Sequence, residues 1–412
     1  MAMSFLSFLR EYKTYILTIL FISMFFKILF LISFHIWSSG DTYNYFKLAK
    51  HILNFDLTGY NGQRTPGYPL FIILGFFNHK IIVMYQIILG MILNLLIFFL
   101  SLEITKDRAK SFIITLIHIF NLNITNFEIA LLTEFLSLFF LVLLIFLIKR
   151  KSNIMIISIC ATYLFLIRPN MLSVIIFYFL FFIFKREFKK AILFISLPTI
   201  SAFLWSYLNL KYVGFFTIST MGPQNLNHHT LNFVYCAPEN NKYYKFMKEL
   251  GINLLREYGK DWVKANIFIT ETSQFIKDYK SFLKIQESFA IETIKNCPYL
   301  YIYSVLEAVL KFYYTLPLKY EIYYGPFNKR TYYNYTKFII EPIWTIMNVI
   351  IFLIYIVFLL LPIINLKHID EIWLLVFLSS IFQALFVYSD NWRFSIPFMP
   401  LIIIYVINKV IK

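Results

Sequence analysis

The chain has 412 residues, 59% of them hydrophobic and only 15% charged, which is too little charge for a soluble protein of this size. Apolar runs of about 20 residues, the length that crosses a bilayer core as a helix, recur along it, and their continuity excludes a β-barrel, whose strands alternate apolar and polar residues. The formal net charge of +16 does not indicate a nucleic-acid partner, because much of it sits in KDRAK at 106–110, KRK at 149–151 and KREFKK at 185–190, the distribution of cytoplasmic loops between spans.

The sequence therefore reads as an all-α polytopic membrane protein. The first apolar run, about 15–37, is too long for a signal-peptide core and precedes no small-residue cleavage site, so it is expected to stay as span one. Arg10 and Lys13 lie ahead of it, which starts the span in the cytoplasm and leaves 38–80 outside. Spans two, three and four are expected at about 81–102, 111–126 and 128–148, with NLNITNFE turning between the last two. Spans five and six, about 153–167 and 170–184, are joined only by Arg168, Pro169 and Asn170. Their roughly 15 helical residues cover roughly 22 Å, less than a hydrocarbon core of about 30 Å. The junction is therefore expected below the outer membrane surface, within the protein. An arginine there costs about 2.5–3.5 kcal/mol unless it faces a wet cavity or an anion, which makes Arg168 a functional candidate. Span seven, about 191–213, leads outward.

Residues 214–336 break the pattern with Gly, Pro, Asn and charges of both signs, and read as a helical extracytoplasmic insertion. Within it, 299–318 is apolar but carries Glu307 and Lys311 mid-helix, a pair that an interfacial helix tolerates more easily than a span. If it does not cross, the last three spans (about 337–363, 372–388 and 394–410) put SDNWRF at 389–394 outside and the C-terminus inside. That count of ten spans groups the polar loops on one side; eleven is the alternative. The organisation is then an N-terminal transmembrane module, 1–213, with a catalytic first loop at 38–80, the insertion at 214–336 and C-terminal spans at 337–412. Of the three cysteines, Cys160 lies in an apolar run, while Cys236 and Cys297 share the insertion, where a disulfide can form; whether they pair is open. None has metal-ligand spacing. His228 and His229 are adjacent in a polar loop, a pattern that by itself indicates no metal site. The sequons at Asn123 and Asn334 matter only in a eukaryotic secretory pathway.

The chemistry is expected in GDTYNYFKLAKH at 40–51 and QRTPGYPLF at 63–71. Asp41, Tyr45, Leu48, Ala49, Ile52 and Leu53 recur at helical spacing, so 42–53 is expected to lie along the outer membrane surface. Asp41 then sits at the helix start, where capping is the plain alternative to catalysis. Arg64 lies in a stiff, turn-rich segment and offers the best bidentate phosphate donor among side chains. A carboxylate can take a proton from an attacking hydroxyl while a cation stabilises a departing phosphate.

These stretches resemble the first extracytoplasmic loop of GT-C glycosyltransferases, in particular the bacterial branch similar to aminoarabinose transferases and protein O-mannosyltransferases. The match rests on Asp41, Tyr45, Ala49, Arg64, Pro66 and Tyr68. LLTEFLSLFF at 131–140, LIRPN at 166–170 and NWRFSIPFMP at 391–400 resemble further family motifs in order, and bring in Glu134, Arg168, Arg393 and Phe394. Where some relatives carry adjacent acidic residues, Asp41 is followed by Thr42. The resemblance implies a GT-C-type bundle of about 10–11 transmembrane helices and sugar transfer, with inversion, from a polyprenyl-phosphate donor to an extracytoplasmic lipid, glycan or protein. It implies Asp41 and Glu134 as catalytic residues, Arg64, Arg168 and Arg393 on the donor phosphate, and Tyr45, Tyr68 and Trp392 on substrate. It names no metal ligand and no certain cofactor; a divalent cation stays open. Its plain alternatives are that Glu134 caps span four or pairs with Arg168, and that Arg393 marks a membrane boundary. Localisation in a bacterial inner membrane, with the site on the periplasmic face, follows from the same resemblance. The insertion is expected to shape acceptor choice. A transporter or flippase of a lipid-linked sugar is the rival reading, but no repeated halves are visible; an O-antigen polymerase or ligase is a second, and a scaffold would leave the Asp41 and Arg64 loop without a reason.

Overall fold

The computed structural model describes residues 11–34, 36–260, 263–314, 331–388 and 391–411. Helices build it, and the described residues contain no strand, only an isolated bridge between Trp37 and Ala130. In chain order the helices are α1 (Lys13–Ser33), α2 (Gly40–Leu53), α3 (Gly67–Leu74), α4 (His79–Thr105), α5 (Arg108–Phe120), α6 (Leu122–Glu128), α7 (Thr133–Lys149), α8 (Ile154–Ile167), α9 (Leu172–Phe184) and α10 (Phe188–Val213). Then follow α11 (Gly222–Thr230), α12 (Lys242–Tyr258), α13 (Val263–Phe275), α14 (Tyr279–Asn296), α15 (Pro298–Tyr314), α16 (Thr331–Ile364), α17 (Glu371–Phe386), α18 (Asn391–Ser395) and α19 (Met399–Val410).

Five stretches are long and apolar enough to cross a membrane: α1, α4, α10, the Phe338–Ile364 part of α16, and Asn391–Val410, which joins α18 to α19. These make the chain a membrane protein. Shorter apolar helices, α8, α9 and α17 among them, pack between the long ones. The centre of the bundle is α7, buried on nearly every side from Thr133 to Ile145. The expected third span at 111–126 is instead two helices that break at Asn121. The reason is polar: Asn123 donates to Asn348 at 2.7 Å and accepts from Trp344 at 2.9 Å. The side chains of α6 are all buried, and an amide buried in apolar surroundings costs several kcal/mol unless it is hydrogen-bonded.

The bundle has two chemically distinct ends. Turns at 106–107, 150–152 and 185–187 share one end, where Lys106, Lys151 and Arg186 take left-handed φ values of 57°, 52° and 59°. Lys149 pairs with Glu371 at 2.7 Å, and Lys409 with Asp370 at 3.1 Å, so α17 begins and α19 finishes at that same end. The opposite end collects Asp41, Glu134, Arg168, Phe386 and Arg393 around one cavity.

Over that end lie α11 to α15. Cys236 and Cys297, whose pairing the sequence leaves open, form a disulfide across 61 residues that ties the α11–α12 connection to the start of α15. His229 is buried against the rings of Tyr301 and Tyr388 and bonds Ser304 through Nδ1 at 2.8 Å. Burial, with His228 beside it, holds its imidazole down at about 3, so it is a neutral packing residue at ordinary pH. The helix α15 is amphipathic. Its inner face carries Glu307, held by Lys260 at 2.6 Å, Tyr388 at 2.7 Å and Lys311 at 3.6 Å, and its outer face exposes Tyr299, Ile302, Tyr303, Leu306 and Leu310. The remainder of the expected 299–318 helix, from 315 on, lies outside the described residues, as do Ser389 and Asp390 of SDNWRF.

Candidate active site

Helix α2 starts as its sequence asks, but with a different cap. Ser39, not Asp41, is the N-cap: its hydroxyl accepts from the Asp41 N–H at 3.2 Å, and its own N–H donates to Thr42 Oγ1 at 3.0 Å. This reciprocal box satisfies the helix start and leaves the Asp41 carboxylate free for other work. Thr42 Oγ1 also donates to the Leu131 carbonyl at 2.9 Å, which fixes α2 against the chain leading into α7.

The loop after α2 aims Arg64 at Asp41. Tyr60 folds back on it, accepting from the Arg64 N–H at 2.7 Å and donating to the Arg64 carbonyl. Gly62 has φ +74°, and a Cβ there would strike Thr220. The Thr220 N–H donates to the Gly62 carbonyl at 3.0 Å, and Ser219 Oγ to the Gln63 carbonyl at 2.7 Å. Segment 217–221 thus clamps the Arg64 loop in place. Gly67 is required for close approach, since a Cβ would collide with the Leu166–Ile167 backbone that leads to Arg168.

These constraints converge on a chain of alternating charge. Arg64 Nη2 meets Asp41 Oδ1 at 2.5 Å; Arg393 Nη2 lies 3.9 Å from Asp41 Oδ2 and 2.5 Å from Glu134 Oε1; Arg168 Nη2 lies 3.8 Å from that same oxygen. Each terminal cation covers an aromatic ring, Arg64 over Tyr45 at 5.1 Å and Arg168 over Phe394 at 4.6 Å, contacts that suit a planar guanidinium. The α7 N-cap is Leu132 without a side-chain bond; Glu134 in the first turn binds Arg393 first and Arg168 second. Its side chain is 1% exposed, whereas that of Asp41 is 35% exposed. The two carboxylates therefore differ in kind: Asp41 can meet an incoming molecule, while Glu134 holds two arginines from below. Burial pushes the Tyr45 phenol up, against the opposing pull of Arg64, which keeps it protonated.

The cavity that these residues line has a volume of about 480 Å³, within the range of sites that take a small ligand. Three guanidiniums against two carboxylates leave one positive charge over among its described lining residues. Arg168 Nη1, Arg64 Nε and Glu134 Oε2 are buried without a hydrogen-bond partner, and buried polar atoms are rarely left so. Two unmet donors and one unmet acceptor fit an oxyanion that brings a hydroxyl with it. At its edge the cavity turns apolar, with Phe382, Val387 and the exposed Phe386 at the outer end of α17. No group of three or more His, Cys, Asp or Glu side chains gathers among the described residues.

Of the residues expected from sequence, Asp41, Tyr45, Arg64, Glu134, Arg168 and Arg393 all line this cavity. Tyr68 and Trp392 do not. Tyr68 is fully buried under Tyr45, with its hydroxyl on Gln86 Oε1 at 3.0 Å, and Trp392 packs 6.1 Å from the ring of Phe127. Asn170, Gln383 and the 217–225 segment are lining residues that sequence reasoning did not single out; only Asn170 carried a signal, as the last letter of LIRPN.

A second polar cluster lies inside the bundle. Lys27 of α1 is paired with Glu128 of α6, both buried, beside Asn94, Ser23 and His118. A Cβ on Gly90 would run into the ends of both side chains, so that glycine makes room for the pair. The signal for it was a lysine in the middle of an apolar run. Comparisons of the chain with protein-family models, curated proteins and solved structures find no match.

Proposed function

We propose that this protein is a GT-C-type glycosyltransferase that moves a sugar from a polyprenyl-phosphate donor to an extracytoplasmic acceptor. The observation that carries the reading is the Arg64–Asp41–Arg393–Glu134–Arg168 chain lining a cavity with an apolar edge. A lipid-linked sugar phosphate has those two natures, an anion and a hydrocarbon tail. As a diester it bears one negative charge; the polyprenyl phosphate that departs develops a second. A site with surplus cations stabilises the departing group more than the bound donor, which is the condition for catalysis.

The mechanism is one displacement. The acceptor hydroxyl gives its proton to Asp41 while its oxygen bonds the anomeric carbon, and the carbon–oxygen bond to phosphate breaks with its electron pair leaving on the phosphate. Attack from the side opposite the leaving group inverts the anomeric centre. Glu134 stays ionised and keeps Arg393 and Arg168 aimed at the phosphate. Support for the sidedness comes from the basic turns at the far end, the cytoplasmic end by the positive-inside rule, and from the Cys236–Cys297 disulfide over the cavity, a bond of oxidising compartments.

Direct binding tests the phosphate assignment. Purified protein is expected to bind polyprenyl phosphate, and Arg64→Gln or Arg168→Gln to weaken that binding about tenfold or more, the loss that follows from removing one charged hydrogen bond. Equal binding by all three proteins would remove the arginines from the donor site.

A further inference from the structure

The cavity has a second wall without charge. Asn170 stands two residues beyond Arg168 on the turn Pro169–Met171, and its Nδ2 donates to Gln383 Oε1 of α17 at 2.8 Å. A primary amide has two donor hydrogens and a carbonyl with two lone pairs, so this bond leaves Asn170 Oδ1 and Gln383 Nε2 available, an acceptor beside a donor, in the cavity both residues line. Asn225, Thr217 and Ser219 add further uncharged polar groups to the lining. Among the described lining residues the only carboxylates are Asp41 and Glu134, both already paired with arginines.

We infer that the transferred group is a neutral, hydroxyl-rich sugar recognised by the Asn170–Gln383 amide pair, and not an amino sugar or a uronic acid. The inference rests on the transferase reading above. A sugar bonded directly to a phosphate held at Arg168 comes within reach of Asn170, the next polar group along the turn. A hydroxyl both donates and accepts, so neighbouring hydroxyls match an amide pair that shows one free donor and one free acceptor. A sugar ammonium would find no unpaired carboxylate among the described lining residues and would meet three guanidiniums. A sugar carboxylate would compete with the donor phosphate for those same guanidiniums, and the lining offers no further cation among the described residues.

The test uses the full chain in proteoliposomes with a hydroxyl acceptor and polyprenyl phosphates bearing a neutral hexose, an amino pentose or a uronic acid, and reads release of polyprenyl phosphate. The neutral donor is expected to be favoured in kcat/KM about tenfold or more over each charged one. Gln383→Leu is expected to raise KM for the neutral donor about tenfold with kcat nearly kept, which is the signature of lost uniform binding. Polyprenyl phosphate binding should be unchanged in that variant, an outcome that separates a sugar contact from a disturbed fold. Gln383→Glu is expected to narrow the gap between the neutral and the amino sugar. Preference for a charged donor by the wild type, or unchanged selectivity in both variants, would overturn the inference and leave the transferase reading standing. Release from no donor at all would overturn both.

Discussion

Asp41→Asn is expected to bind donor normally and to transfer sugar about 10²–10⁴-fold more slowly, the range that general-base catalysis supplies. The substitution keeps shape and an oxygen for Arg64, whose Nη2 lies 2.5 Å from Asp41 Oδ1, but it removes the capacity to take a proton. The start of α2 should be indifferent to the change, because Ser39 and Thr42 close the capping box between themselves. Asp41 is also the more exposed of the two cavity carboxylates, at 35% against 1% for Glu134, so an acceptor meets it first. Donor affinity and transfer rate measured in one proteoliposome preparation would separate the roles. Full activity in the variant would reduce Asp41 to an anchor for Arg64.

The second large effect is expected in the interior. Lys27→Met should destabilise the protein by about 3–5 kcal/mol, because it leaves the buried Glu128 carboxyl without its partner. The double variant Lys27→Met, Glu128→Leu should recover most of that loss, since an apolar pair of similar volume often replaces a buried ion pair at little cost. Thermal unfolding of the three proteins in one detergent gives the comparison. A single variant as stable as the wild type would mean that water, not Lys27, compensates Glu128. The cluster matters to the site through its neighbours: Gln86 donates to the carbonyls of Glu128 and Ala130 at 2.7 and 2.9 Å and accepts from Tyr68, which packs beneath Tyr45. The segment that ends in Glu134 is thereby fixed from both sides.

What the sequence showed and what it hid follow from the same physics. Charged residues are expensive in an apolar chain, so Asp41, Arg64 and Arg168 stood out, Glu134 and Arg393 came only with the family resemblance, and the fold brings all five to one cavity. Helix 42–53 was legible from periodicity. Pairings were not legible: Lys27 and Glu128 are 101 residues apart and Arg393 and Glu134 are 259 apart, and neither separation leaves a local pattern. Neutral amides gave little signal, so Asn170 and Gln383 were passed over. Tyr68 was expected on the substrate from the family resemblance, yet helix α3 turns it inward to Gln86. The turn expected over NLNITNFE is the buried helix α6 instead, because three asparagines in a row of eight look like a loop until their burial is known.

The central claim is that donor is consumed in this cavity, and the most direct test is a single-turnover reaction of wild-type protein in proteoliposomes with a polyprenyl-phosphate sugar and a hydroxyl acceptor. The account predicts one polyprenyl phosphate released per sugar transferred, and a glycoside whose anomeric configuration is inverted. Donor that stays intact while it crosses to the other leaflet would contradict the account and make the protein a translocator of the same lipid.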